Sequence, residues 1–375
     1  MGRVVLFGAT GYTGRLTARA LVHRGLAPLL AGRSAARLSA LADELDGVGA
    51  AGRSEVVELD ASRPWQLAPL LEPDDVLLTT VGPFRTLGRP ALEAAVAAGA
   101  TYVDSTGEPP FVAKVFSEHD VEARRTGARL LPAFGYDYVP GHLAAALALR
   151  EAGAAATAVD VGYFVTGRGA FSTGTLASAV GVLTEPAPVL REGRLVSERP
   201  AAHVRAFDVG GRSRSGVSIG GSEHHALPRS FPQLRDVGVF LGWTDRASRL
   251  TQAGSLGLAL AGRVPALGGA LRSGLALATA PLVRRGGGPD ETLRAAAGTL
   301  VAAEARAADG AVLARVVVTG PSPYDLTAEL LAWAAQQAHE GRVRGTGALG
   351  PVEAFGLDAL ESGCRELGLA RVEGL

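Results

Sequence analysis

Hydrophobic and polar positions alternate in blocks along the first 150 residues. Val4 to Phe7 is a short continuous apolar run, the signature of a strand covered on both faces. It breaks at Gly8, Gly11 and Gly14, and a helical spacing follows through Leu16, Ala20 and Leu21. Leu29 to Ala31 predicts a second strand, Leu38, Leu41 and Leu45 a second helix, and Val56 to Leu59 a third strand. Val76 to Thr80 is the fourth. Pro90 is expected as the first residue of the next helix, with Leu92, Ala95 and Val96 as its buried stripe and Gly99 as its stop. Thr101 to Ser105 and Arg129 to Pro132 complete the strands, and Pro140 begins another helix. Strands and helices alternating at this length predict an α/β fold with a doubly wound parallel sheet and right-handed crossovers. Ligands of such sheets lie beyond the carboxyl ends of the strands. Four ends should therefore converge: the Gly8 turn, Gly82 to Phe84, Thr106 to Glu108, and Gly135 to Asp137.

Past Gly153 the period changes to two. Val159, Val161, Tyr163 and Val165 share one face of a strand. Ser172 or Thr173 could cap a helix through Leu176, Val180 and Leu183. Hairpin turns are expected at Glu192-Gly193, Gly210-Gly211 and Asp309-Gly310. The pattern predicts a second, α+β domain with a mainly antiparallel sheet, forming the wall opposite the bound ligand. Residues 251 to 283 are the most apolar part of the chain, but Arg263 and Arg272 interrupt them, so no uncharged run spans a bilayer. They read either as core helices or as an apolar lid, acyl channel or membrane-touching surface. Ser322 and Pro323 start a helix carrying Leu326, Leu330, Leu331 and Trp333, and Leu357, Leu360, Leu367 and Leu369 suggest more helix. The expected domains are 1–150, 151–320, and a helical 321–375 that packs back on the first.

Composition narrows the function classes. A formal net charge of zero gives no electrostatic footprint for nucleic acid. The single cysteine, Cys364, excludes an internal disulfide or a CxxC site. No His-x-x-x-His pair occurs, so a catalytic zinc is not expected. Lys114 is the one lysine and has Pro110 four positions before it, which excludes a Tyr-x-x-x-Lys pair. The chain enters its first strand directly, and a cytoplasmic protein is the simplest expectation.

A glycine-broken turn between a strand and a helix presents backbone N–H groups to a pyrophosphate. The spacing here is G-x-x-G-x-x-G, with Thr10, Tyr12 and Thr13 adding hydroxyls. Where a dinucleotide fold reads the adenosine ribose, the chain carries Arg33 and Ser34 with Arg37 one turn on. Those groups favour a 2′-phosphate, and hence NADP over NAD. Asp60, at the end of the third strand, could accept from the adenine amino group or cap a helix.

The segments GATGYTG, LLAGRS, TTVGPF, TYVDSTGE and FGYDYVPG resemble, in order and spacing, the saccharopine dehydrogenase-like reductases, including their trans-acting enoyl reductase members. The resemblance covers residues 1 to about 150, and SEHHALPRSFPQLRDVGVFLGW and TGPSPYDLTAELLAWAA look like later segments of the same group. It implies an NADP-binding Rossmann domain followed by an α+β substrate domain. It places the cofactor phosphates at Thr10, Gly11, Tyr12 and Thr13, the adenosine phosphate at Arg33 and Ser34, and the nicotinamide near Gly82, Pro83 and Phe84; the residues themselves add Gly8, Gly14, Arg37 and Val81 to the same cofactor site. The group acts on imines in some members and on activated double bonds in others.

The proton donor or charge-stabilising group could be Tyr136, Asp137, Glu108, His224 or Tyr163. Asp137 reads equally as a turn residue before Pro140, Glu108 as a loop carboxylate, and His224-His225 as a strand-edge pair. The expected function is NADPH-dependent reduction of a C=C bond in a hydrophobic acyl or polyketide substrate, small or carrier-bound. An imine reductase is the alternative, and a non-catalytic NADPH-binding sensor or scaffold is a third reading. A homodimer is expected, and peripheral membrane contact is left open.

Overall fold

The computed structural model describes residues 2–48, 52–61, 63, 66–167, 182, 185–242, 248–261 and 287–373. The chain divides into two compact units. The first comprises residues 1–106, 111–139 and 323–367. Its strands are β1 (Val4–Phe7), β2 (Leu29–Gly32), β3 (Val56–Glu58), β4 (Val76–Thr79), β5 (Thr101–Asp104) and β6 (Arg129–Leu131). All pair in parallel, in the order β6-β5-β4-β1-β2-β3, with the two-residue strand Gly347–Ala348 added beside β6. The order reverses at β1, and this is where open α/β sheets form their crevice. Strands β1, β2, β4 and β5 are buried throughout, the first three as their apolar runs require.

Helices α1 (Tyr12–His23), α2 (Ala35–Leu45) and α3 (Phe84–Ala98) follow β1, β2 and β4. The start of α3 differs from expectation. Pro83 is its N-cap and Pro90 lies inside it. A proline is favoured at N1 but does not forbid an interior place; there the helix loses one backbone bond. The buried stripe Phe84, Gly88, Ala91, Leu92 and Ala95 offsets that loss, and Gly99 ends the helix in the left-handed region at φ 71°. The opposite face of the sheet is covered by the helix Pro323–His339, which packs along α1 and over β4 and β5. Trp333 on this helix meets Phe355 at 4.7 Å between ring centroids and stacks on Phe134 at 6.3 Å.

The second unit comprises residues 107–110, 140–322 and 368–375. Its main sheet contains β7 (Ala158–Gly167), β10 (Val204–Val209), β11 (Arg212–Ile219), β12 (Asp236–Leu241), β13 (Ala297–Arg306) and β14 (Val312–Gly320). A separate hairpin is made by β8 (Ala187–Arg191) and β9 (Arg194–Glu198). Turns at Glu192-Gly193, Gly210-Gly211 and Asp309-Gly310 join hairpin strands as the pattern predicts. The main sheet is mixed, because β12 pairs with β7 in parallel while its other pairs are antiparallel. Phe164, Phe207 and Phe240 form an edge-to-face row on one side of it.

The helix expected after Ser172 or Thr173 lies outside the described residues, as does most of the apolar stretch 251 to 283; only Ser248–Ala261 is described there as helix. Among the described residues no helix is long and apolar enough to cross a membrane.

Candidate functional site

The turn after β1 is built by contacts that only glycine permits. Gly8 has φ +89°, and a Cβ there would come within 2.8 Å of both Thr80 Oγ1 and Val81 Cγ2. At Gly14 a Cβ would stand 2.2 Å from the Gly8 carbonyl oxygen, so the first turn of α1 is pressed onto the strand end. The Gly11 amide donates to that same carbonyl at 2.9 Å, and the Gly8 amide donates to Ala31 at 2.9 Å. The first backbone bond of α1 runs from Arg15 N–H to Gly11 C=O, and no acidic residue stands in the first turn. The positive end of the helix dipole is therefore uncompensated by any carboxylate of α1, which suits a pyrophosphate. Thr10, Tyr12 and Thr13 border this mouth and are partly exposed.

Beside it, at the end of β2, Arg33 is exposed and makes no ion pair among the described residues. Ser34 is the N-cap of α2, its hydroxyl accepting from the Arg37 amide at 3.4 Å. Arg37 donates through Nη2 to the Thr10 carbonyl at 3.1 Å, tying α2 to the glycine turn. Glu58 accepts from the Ala35 amide at 3.3 Å, so a phosphate here would be held by side chains more than by the mouth of α2. Asp60 opens a turn after β3: its carbonyl accepts from Arg63 N–H at 2.8 Å and its amide donates to Gln66 Oε1 at 3.2 Å. A tight cradle with a cation and a hydroxyl next to it fits a phosphorylated dinucleotide.

At the end of β4, Gly82 and Pro83 are exposed, Val81 is partly so, and Phe84 is buried with its ring 5.7 Å from Phe111. Further along the same edge, Asp104 is fully buried at the end of β5. Its Oδ1 accepts from the Thr106 and Ala133 amides, each at 2.8 Å, and its carbonyl accepts from Phe134 N–H at 2.8 Å. It thereby pins the loop that follows β6. Ala133 takes φ 58°, a left-handed conformation uncommon for a residue with a side chain. That loop carries Tyr136 and Asp137. Removal from water raises the Asp137 carboxyl from 3.8 to about 7, although the residue keeps partial exposure. Burial, reinforced by Asp137, holds the Tyr136 phenol well above its ordinary value, so it is a neutral hydrogen-bonding group.

The first unit thus brings together the glycine turn, Arg33 to Arg37, Val81 to Phe84 and Tyr136-Asp137 on the carboxyl edge of one sheet. Glu108, Tyr163 and His224 belong to the second unit. Glu108 is buried. Tyr163 donates to Glu223 Oε1 at 2.5 Å. His224 is not on a strand edge but in the helix Glu223–Ser230, where Ser222 is the N-cap and Glu223 the first-turn acid. Its Nδ1 accepts from the Leu190 amide at 3.2 Å, its Nε2 meets the Ile219 carbonyl at 3.4 Å, and burial drives its pKa down to about 3. An imidazole that is neutral and occupied at both nitrogens is a packing group, so His224 leaves the set of acid candidates. Asp104 escaped the sequence reading despite lying in the TYVDSTGE segment.

A family model, the saccharopine dehydrogenase NADP binding domain, matches this part of the chain. The match covers residues 4–131, and NADP is the coenzyme it supports, in keeping with the arginines after β2. A Mycobacterium tuberculosis protein provisionally named a trans-acting enoyl reductase is 40% identical over 187 residues, 48% of this chain and 44% of the relative. The trans-acting enoyl reductase of Mycobacterium ulcerans is 39% identical over 142 residues, 37% and 34% of the two chains. The chain thus spans less than half the length of these curated relatives. Saccharopine dehydrogenase (L-Glu forming) of Saccharomyces cerevisiae shares the fold over 99% of both chains, with a TM-score of 0.61 at 14% identity.

Proposed function

We propose that this saccharopine dehydrogenase-like chain is an NADP-dependent oxidoreductase that reduces an activated C=C bond in a hydrophobic acyl or polyketide substrate, carrier-bound or free. When bound, NADPH supplies the hydride. The chain's own contribution is to orient the acceptor and deliver a proton. Conjugate reduction breaks the C=C π bond, forms a C–H bond at the β carbon and leaves an enolate that takes a proton at the α carbon. Asp137 carries the reading, because a carboxyl that titrates at about 7 holds a transferable proton at neutral pH. Tyr136, kept neutral, is suited to donate a hydrogen bond to an enolate oxygen. The names of the mycobacterial relatives support the C=C acceptor. Glu108 and Tyr163 stand as further proton-handling candidates, the Tyr163 hydroxyl donating its hydrogen bond to Glu223.

A second reading, reduction of an imine, is favoured by the fold shared with the yeast saccharopine dehydrogenase along the whole chain. Incubation with NADPH and a panel of free and carrier-bound enoyl thioesters and cyclic imines separates the two. Oxidation of NADPH with enoyl thioesters is expected; turnover of imines alone replaces the substrate. NADPH binding without turnover of any acceptor establishes the non-catalytic alternative. The same reading includes a homodimer in a cytoplasmic setting and leaves residues 251 to 283 for an acyl chain or a membrane surface. Sedimentation, cell fractionation and vesicle flotation test these three points.

A further inference from the structure

We propose that Thr327 is a positioning residue for the proton donor: its hydroxyl fixes the loop that carries Tyr136 and Asp137. This rests on the reading of Asp137 as the acid. Thr327 lies on the helix Pro323–His339. Its Oγ1 accepts from the Tyr136 amide at 3.0 Å and donates to the Pro323 carbonyl at 2.7 Å. A hydroxyl has one proton to give. With that proton committed to Pro323, a lone pair is left aimed at Tyr136, so the two bonds are mutually consistent and set a single rotamer.

Backbone bonds and Asp104 hold the ends of the loop. Asp104 pins Ala133, Tyr138 N–H returns to the Ala133 carbonyl at 2.8 Å, and Val139 N–H returns to Gly135 at 3.0 Å. Thr327 grips the middle, next to Asp137. The glycine before Tyr136 belongs to the same device. A Cβ on Gly135 would come 2.8 Å from Thr327 Cγ2 and 3.1 Å from its Oγ1, so the absence of a side chain there is what lets the loop reach the hydroxyl. One turn earlier on the helix, the Tyr324 ring packs edge-on against Tyr12 at 5.2 Å. The same helix therefore touches both the mouth of the glycine turn and the acid-bearing loop, and it holds the two in one frame. Three strand spacings separate β1 from β6, roughly 14 Å, too far for direct contact between the turn and the loop backbones. The Asp137 carboxyl is shifted by desolvation alone, with no charged neighbour contributing, so its titration reports how closely the loop is seated.

The test compares T327V, which keeps the shape and removes the hydroxyl, with T327S, which keeps the hydroxyl and removes the methyl. Three quantities are read: the NADPH dissociation constant, kcat against pH with an enoyl thioester, and the Asp137 carboxyl titration by carbon-13 NMR. In T327V, kcat should fall about tenfold, the order expected for a misplaced catalytic group, with NADPH affinity within about twofold of the parent. The carboxyl midpoint should move down towards the ordinary aspartate range as water enters, and T327S should restore both. A T327V protein with parental kcat and titration overturns the proposal, as does a T327S protein as impaired as T327V. If no acceptor is turned over, the functional reading fails by itself, and the carboxyl titration still decides whether Thr327 seats the loop.

Discussion

Substituting Asp137 by asparagine should stabilise the protein while disabling it, and the stabilisation should depend on pH. The folded carboxyl titrates at about 7 against an ordinary value of 3.8. The folded state therefore holds this proton more tightly than the unfolded chain does, and folding is penalised as pH rises. The penalty is absent well below 3.8, grows through the interval and is constant above about 7. Three pKa units correspond to roughly 4 kcal/mol, and the partial exposure of the residue reduces this to about 2–4 kcal/mol. Asparagine has no charge to desolvate. Urea unfolding of the two proteins side by side should give similar stabilities at pH 4 and an advantage of about 2–4 kcal/mol for D137N at pH 8. Turnover of the variant should fall by about 10²–10⁴, the usual share of a general acid. A stability difference that is the same at pH 4 and pH 8 would show that the carboxyl is not held protonated by its surroundings, and the argument for its role would go with it.

Replacing Arg33 by alanine removes a cation from the expected 2′-phosphate site. NADPH affinity measured by calorimetry should drop about 10- to 100-fold, as for loss of a charge-assisted hydrogen bond, with NADH affinity unchanged. G14A forces a Cβ onto the Gly8 carbonyl; thermal unfolding should show a loss of about 1–3 kcal/mol, and NADPH uptake should be abolished because the phosphate turn is displaced. H224L leaves the Leu190 amide and Ile219 carbonyl without their partner, costing about 1–3 kcal/mol by chemical denaturation, while kcat of the folded enzyme stays at the parental value. A large kcat loss in H224L would return that histidine to the chemistry.

Much of the first unit could be read from the chain because its signals are local. Unbroken runs such as Val4 to Phe7 and glycines at strand ends mark buried parallel strands and turns whatever surrounds them. Pro90 misled because proline at N1 and proline in a helix interior look alike without the packed stripe around it. His224 misled for a related reason: a histidine pair carries no period, and only the fold shows its ring bonded at both nitrogens. Asp104 and Thr327 could not be assigned from spacing at all. Each acts on a loop from a different element, Thr327 from 191 positions away, and a single threonine on an amphipathic helix is unremarkable until its partner is known. The mixed sheet was legible through its hairpins, whereas the parallel β12–β7 pair joins strands far apart in the chain and leaves no local mark.

The first unit is made from discontinuous stretches, and the helix Pro323–His339 and strand Gly347–Ala348 arrive last. During synthesis on the ribosome, Val139 precedes Pro323 by the whole intervening segment, an interval on the order of 10–40 s at ordinary elongation rates. Throughout it, the outer rim of β6 has no neighbour and the apolar side of β4 and β5 has no cover, a state prone to pairing with other nascent chains. Chaperone capture of ribosome-stalled fragments ending before Pro323, and its release once Leu367 has emerged, is the expected cellular trace of this order of assembly.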